Sequence, residues 1–172
     1  MKIVMSFLAM LTLAHSGYSQ IHERWDVKTI TDGFQPVGPV KKVTVAQVAQ
    51  KPKIGVRNTQ PRLNFEKQEI SITGTITRIQ LEGDGDYHIE VTDGSLGDST
   101  LVCEAVDPAN SVTAQSPMID NFNNVRGVVQ NLQKGAKVRL TGMLFQDKYH
   151  SPSPNRTRNF LEIHPILKAE VL

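Results

Sequence analysis

Glu162 and His164 stand two residues apart in Leu161-Glu162-Ile163-His164-Pro165-Ile166. In extended chain that spacing puts both side chains on one face, about 7 Å apart. A carboxylate and an imidazole so placed can share a metal ion or pass a proton. Groups of the same chemistry occur upstream: His88 and Glu90 in one apolar-alternating segment, Glu104 and Asp107 at the end of another, and His150 in a long polar loop. If the fold gathers them, His88, Glu104, Asp107, His150, Glu162 and His164 form a candidate divalent-metal or acid–base set. The spacing alone does not specify one. The chain has no His-Glu-x-x-His, no paired Cys-x-x-Cys, no Gly-x-Ser-x-Gly elbow and no phosphate-cradling glycine loop. Asp84-Gly85-Asp86 lacks the later ligands of a calcium loop and is expected to form a turn. No cofactor is therefore expected, and a divalent metal is the alternative. A lone histidine is more commonly a hydrogen-bonded structural group.

A second constellation is basic. Lys148 precedes Tyr149-His150-Ser151-Pro152-Ser153-Pro154-Asn155-Arg156-Thr157-Arg158. Tyr149, His150, Arg156 and Arg158, with His88 and Glu90, are candidate ligand-binding residues, suited to a phosphate, a sugar or an acidic partner. A solvated Pro-rich loop is the plainer account of the same residues. Asn155-Arg156-Thr157 is also a glycosylation sequon.

The elements that must position these groups are short strands. β-Favouring residues and two-residue alternation mark strands over 70–81, 87–92, 100–106, 137–147 and 159–172. Ile89 and Val91 alternate with His88 and Glu90, and Leu101, Cys103 and Ala105 share one face. Gly74 suggests a bulge or bend, and Asp84-Gly85 a tight hairpin. Ile119, Phe122, Val125, Val129 and Leu132 recur at three- and four-residue spacing, predicting a helix within 117–133, with Gly127 a weak point. Three strands, a helix and two strands is the order of an OB-fold, a five-stranded Greek-key barrel with one helix between its third and fourth strands. The loop between the last two strands then flanks its binding face.

Residues 20–69 carry four of the prolines in 34–62 and read as an extended segment packed on the barrel, with one short helix over 43–49 capped by Thr44. The barrel occupies 70–172. Residues 20–69 hold nine basic and five acidic groups, 70–130 two and nine, and 131–172 seven and three. That acidic middle interrupts the unbroken basic stripe a general polyanion binder needs, so nucleic acid is not the favoured partner.

Lys2, a short apolar run over 3–14, and small residues at Gly17 and Ser19 have the layout of a secretory signal peptide cut after Ser19. The expected location is secreted or periplasmic, with no membrane span. The single cysteine, Cys103, cannot pair within the chain and is expected to be a buried small hydrophobe.

Several segments in order resemble a group of small exported, uncharacterised bacterial proteins: Glu23-Arg24-Trp25-Asp26-Val27-Lys28-Thr29, Val43-Thr44-Val45-Ala46, Asp84-Gly85-Asp86-Tyr87-His88-Ile89, Glu104-Ala105-Val106-Asp107-Pro108 and Leu161-Glu162-Ile163-His164-Pro165-Ile166. The resemblance spans nearly the whole mature chain and implies an OB-like barrel outside the cytoplasm. It carries no established activity. Where the relatives have a His-Gly-Gln segment leading to Ala-Pro-Asn, this chain has the 149–155 loop. His150 and either Asn155 or Asn159 stand in the matching places. The leading expectation is a non-catalytic binding module for nucleic acid, oligosaccharide or protein. The alternatives are a metal-assisted hydrolase or nuclease and a structural partner domain of an envelope assembly.

Overall fold

The computed structural model describes residues 24–36, 38–149 and 155–172. The expected signal sequence and His150 lie outside them. Five strands close a barrel: β2 (Glu69–Leu81), β3 (Tyr87–Thr92), β4 (Leu101–Ala105), β5 (Lys137–Gln146) and β6 (Leu161–Val171). A two-residue strand, β1 (Lys41–Lys42), adds to β2 in parallel. Neighbours run β2-β3-β4-β6-β5, and β5 returns to β2. All the barrel pairings are antiparallel except β4–β6, which is parallel. This is the OB-fold topology the element order predicts.

Closure depends on β2 changing partners. Residues 69–75 pair with β5 and 75–81 with β3. Gly74 lies at the exchange. A Cβ there would collide with the Thr92 carbonyl oxygen and the Val91 side chain, so only glycine lets β3 approach this closely. The bulge itself falls further on, between Ile76 and Arg78. The β2–β3 connection is also longer than a two-residue hairpin. Glu82–Asp86 forms the turn, closed by Glu82 N to Asp86 O at 2.9 Å and Gly85 N to Glu82 O at 3.1 Å. Asp84 Oδ1 accepts from Asp86 N at 3.1 Å, and this side-chain turn, with Gly85 at φ 96°, stabilises the wider loop.

Ile72, Ile76, Ile89, Val91, Leu101, Cys103, Leu140 and Ile163 fill the interior. The helix α3 (Ile119–Val129) is shorter than the apolar spacing suggested, but it is continuous through Gly127. Its Val125 and Val129 plug the core. Among the described residues two short α-helices precede the barrel, α1 (Trp25–Lys28) and α2 (Val45–Ala49). Thr44 caps α2 through a reciprocal box with Gln47. Val27, Ile30, Val45 and Val48 are fully buried. Arg24 pins the segment down. Its guanidinium meets both oxygens of buried Glu66, at 2.8 and 2.5 Å, and donates to Gln146 O at 3.0 Å. Glu66 in turn accepts from Gln146 N at 2.8 Å and Leu63 N at 2.6 Å, so neither charge is left unsatisfied.

Candidate functional site

Alternation sets the site. Ile89, Val91, Leu101, Cys103, Leu161 and Ile163 point into the barrel, so His88, Glu90, Glu104, Glu162 and His164 point out of it. Register then gathers them. His88 lies opposite Glu104 across β3–β4, and the parallel β4–β6 pairing sets Val102 beside Glu162 and Cys103 beside Ile163. Residues about 60 apart in sequence thus become neighbours on one outer face.

His88 Nδ1 is 3.2 Å from Glu104 Oε1, and His164 Nδ1 is 2.8 Å from Glu104 Oε2 and 3.2 Å from Glu162 Oε1. Glu162 Oε2 holds Arg156 at 2.8 Å. Asp86 joins from the turn, its Oδ2 3.8 Å from His164 Nε2 and its Oδ1 accepting from Asp107 N at 2.7 Å. Glu82 Oε1 lies 3.6 Å from His88 Nδ1. On the far side of His88, Nε2 lies 3.5 Å from Glu90 Oε1, and Glu90 Oε2 accepts from Thr100 Oγ1 at 3.0 Å. Lys28, carried in by α1, reaches Asp147 Oδ1 at 3.9 Å and stands over the Phe145 ring. Glu162, His164, Asp86 and Glu90 are buried, whereas His88 and Glu104 are partly open and Glu82 is at the rim.

The electrostatics follow from this enclosure. Burial opposes charge on His164, but the Glu104 carboxylate and the bonds to Glu104 and Glu162 prevail and raise its pKa to about 10. Burial lifts Asp86 to about 7, against the pull of His164. Burial also acts to lift Glu104, but the charge of His164 and its contacts with both imidazoles hold it well below the usual carboxylate range. Glu162 is raised by burial and by the charges of Glu104 and Asp147. Lys28 is raised despite burial, because Glu104, Glu162, Asp147 and Asp86 surround it. The arrangement can hold a cation or exchange protons between carboxylate and imidazole.

Of the sequence-derived residues, His88, Glu90, Glu104, Glu162 and His164 come together, with Arg156 beside them. Arg156 is turned inward, also reaching Asp147 at 3.5 Å. The Asp107 carboxylate accepts from Ala109 N and lies against Gly85, and among the described residues its link to the cluster is its main-chain N–H, which donates to Asp86. Tyr149 is 68% exposed and packs edge-on against Phe160, with Lys53 Nζ 4.1 Å from its ring centre; Arg158 is exposed. In the sequence Asp86 reads as a turn former in preference to a ligand. It does form the turn, but its place two before His88 was the signal that it shares that face. Nothing local marked Lys28 or Asp147. A wide groove of about 730 Å³, lined by Lys42, Glu69, Met118, Arg139 and Lys168 among others, opens elsewhere, where α3 and the N-terminal segment meet the barrel.

No protein-family model matches the chain, and no curated protein is significantly similar to it. Solved structures do resemble it. The OBody AM2EP06, solved bound to hen egg-white lysozyme, aligns with TM-score 0.50 and 15% identity over 79% of this chain and 96% of its own. Entamoeba histolytica asparaginyl-tRNA synthetase aligns with TM-score 0.47 and 15% identity over 78% of this chain, which spans only 24% of the synthetase. The S. pombe Stn1–Ten1 complex aligns with TM-score 0.40 and 17% identity over 60% of this chain and 57% of that one. At these identities the likeness concerns the fold alone.

Proposed function

We propose that this chain is an exported OB-like binding module whose ligand carries positive charge and docks on the outer face of β3, β4 and β6, where the Glu82–Asp86 turn opens. One observation carries this reading. A largely buried set of carboxylates and imidazoles surfaces at Glu82, His88 and Glu104, and among the described residues neither the Glu82 nor the Glu104 carboxylate has a Lys or Arg nitrogen within 4.0 Å. A phosphate-gripping face needs cationic donors turned outward. Here Arg156 turns to Glu162 and Lys28 to Asp147, and the half-exposed guanidinium at the edge, Arg78, is held by Glu90 and Gln80. A fold does not assign a ligand, and the chemistry of the site does.

In this reading the 20–69 segment covers part of the barrel, and residues 1–19 direct export. The latter is supported by Lys2, the apolar 3–14 run and the small residues Gly17 and Ser19. N-terminal sequencing of the exported protein tests it.

The ligand class is tested by calorimetric titration of the full chain with spermine, Zn²⁺ and a single-stranded oligonucleotide. Saturable binding of a cation that weakens in Glu104→Gln is expected. Oligonucleotide binding that falls steeply with salt and ignores Glu104→Gln would sink the proposal. The metal-assisted hydrolase reading also keeps one support, the contact of Glu104 with both His88 and His164. Its own test is phosphodiester or ester turnover lost in Glu104→Gln.

A further inference from the structure

Glu104 faces two imidazoles with two different oxygens, Oε1 toward His88 and Oε2 toward His164. Each imidazole brings another carboxylate, Glu82 beside His88 and Asp86 beside His164. In each group, Glu82–His88–Glu104 and Asp86–Glu104–His164, one ligand atom per residue lies within 4.8 Å of the others. A tetrahedral ion bonded at 2.0–2.1 Å keeps its ligand atoms about 3.3 Å apart. The outer group, with separations of 3.2 and 3.6 Å about His88 Nδ1, is already near that spacing. The inner one is wider, with 3.8 Å between His164 Nε2 and Asp86 Oδ2.

Two further observations point to an ion rather than to a network of ion pairs. Among the described residues, the charge partners of Glu82, Asp86 and Glu104 within 4.0 Å are only the two imidazoles. And His164 Nε2, on a side chain 1% exposed, makes no hydrogen bond while facing Asp86. A buried ring nitrogen left in that state is costly unless something completes it. The outer shell is also in place. His88 Nε2 faces Glu90, which Thr100 holds, and His164 Nδ1 faces Glu162, which Arg156 holds. Metal-binding imidazoles have their other ring nitrogen oriented in this way by a carboxylate.

We propose that the cluster is a two-position centre for divalent transition-metal ions bridged by Glu104, the outer ion on Glu82 and His88 and the inner ion on Asp86 and His164 through Nε2. The proposal rests on the cation-accepting reading above and names the occupant. Mixed imidazole and carboxylate donors suit zinc or manganese better than calcium or magnesium. Filling the inner position swings Glu104 Oε2 from His164 Nδ1 to the ion and leaves Nδ1 to Glu162. Three protein ligands per ion leave a position for water or a substrate oxygen. Glu82, at the rim, marks the entry.

The test is metal loading of the chelator-treated full chain with Zn²⁺ and with Mn²⁺, counted by elemental analysis, with electron paramagnetic resonance of the manganese form. Two ions per chain are expected, falling to one in His88→Gln and in the rim variant Glu82→Gln, and to none in Glu104→Gln. The two-manganese wild type should give an exchange-coupled signal. The inner ion is followed without mutation, by a zinc-induced shift of the His164 ring nitrogen resonances. One ion per chain, two uncoupled ions, or zinc binding that leaves His164 unshifted would overturn the bridged centre. No bound metal would overturn it as well. If spermine still binds in the same buffer, the broader cation-accepting reading survives that failure; if spermine does not bind either, both fall.

Discussion

Replacing Lys28 by methionine removes the cation that α1 inserts into the acidic face while keeping the length and apolar stem of the side chain. Its Nζ is 3.9 Å from Asp147 Oδ1 and also feels Glu104, Glu162 and Asp86. Two unit charges about 4 Å apart interact by roughly 4 kcal/mol at an effective dielectric constant near 20. Breaking a buried pair costs about 3–5 kcal/mol because the remaining charge stays desolvated. Lys28 keeps 19% of its side chain exposed, so some of that is screened, and a loss of about 2–3 kcal/mol is expected near pH 8. The loss should shrink at pH 5. Asp86, raised to about 7, is then protonated, leaving less negative charge for Lys28 to neutralise. Urea unfolding of the chelator-treated wild type and Lys28→Met at the two pH values measures this, with an unchanged m-value as the check on two-state behaviour. A loss below about 0.5 kcal/mol at both pH values, which is ordinary for a surface change, or a larger loss at pH 5, would show that Lys28 does not compensate this cluster.

The metal-free protein should lose stability as pH rises from about 6 to 9. The His164 contribution, with a pKa raised to about 10, is complete below its ordinary value and fades toward 10. That of Asp86 is lost between its ordinary value and about 7, so it adds only at the acid end of this range. Glu104, held low, contributes in the opposite sense and is lost only on acidification. Thermal melts in chelator check this, and a melting temperature that climbs steadily to pH 9 would contradict it. Gly74→Ala should destabilise by about 1–3 kcal/mol or more, the range for overpacking, because its Cβ meets the main chain of β3 at Thr92, which cannot move aside, as well as the Val91 side chain. Gly127→Ala, which meets nothing within 4 Å on an exposed helix surface, should be neutral or stabilising by up to about 1 kcal/mol. Equal effects of the two in denaturant titration would remove the case for a glycine-dependent barrel bend.

What could be known from the chain alone was local and periodic. Alternation in Tyr87-His88-Ile89-Glu90-Val91 and Leu101-Val102-Cys103-Glu104-Ala105 decides which side chains face inward, because successive residues of a strand project to opposite sides. Thr44 with Gln47 caps a short helix for an equally local reason, and the number and order of strands leaves few topologies besides this barrel. Tertiary structure alone decided that Glu162 and His164 meet Glu104, because the parallel β4–β6 contact exists only once the barrel closes. It also decided that Arg156 turns inward to Glu162 and that Lys28 arrives from outside the barrel. Charges distant in sequence find one another through register and packing, and no pattern within a strand records which strand lies beside it.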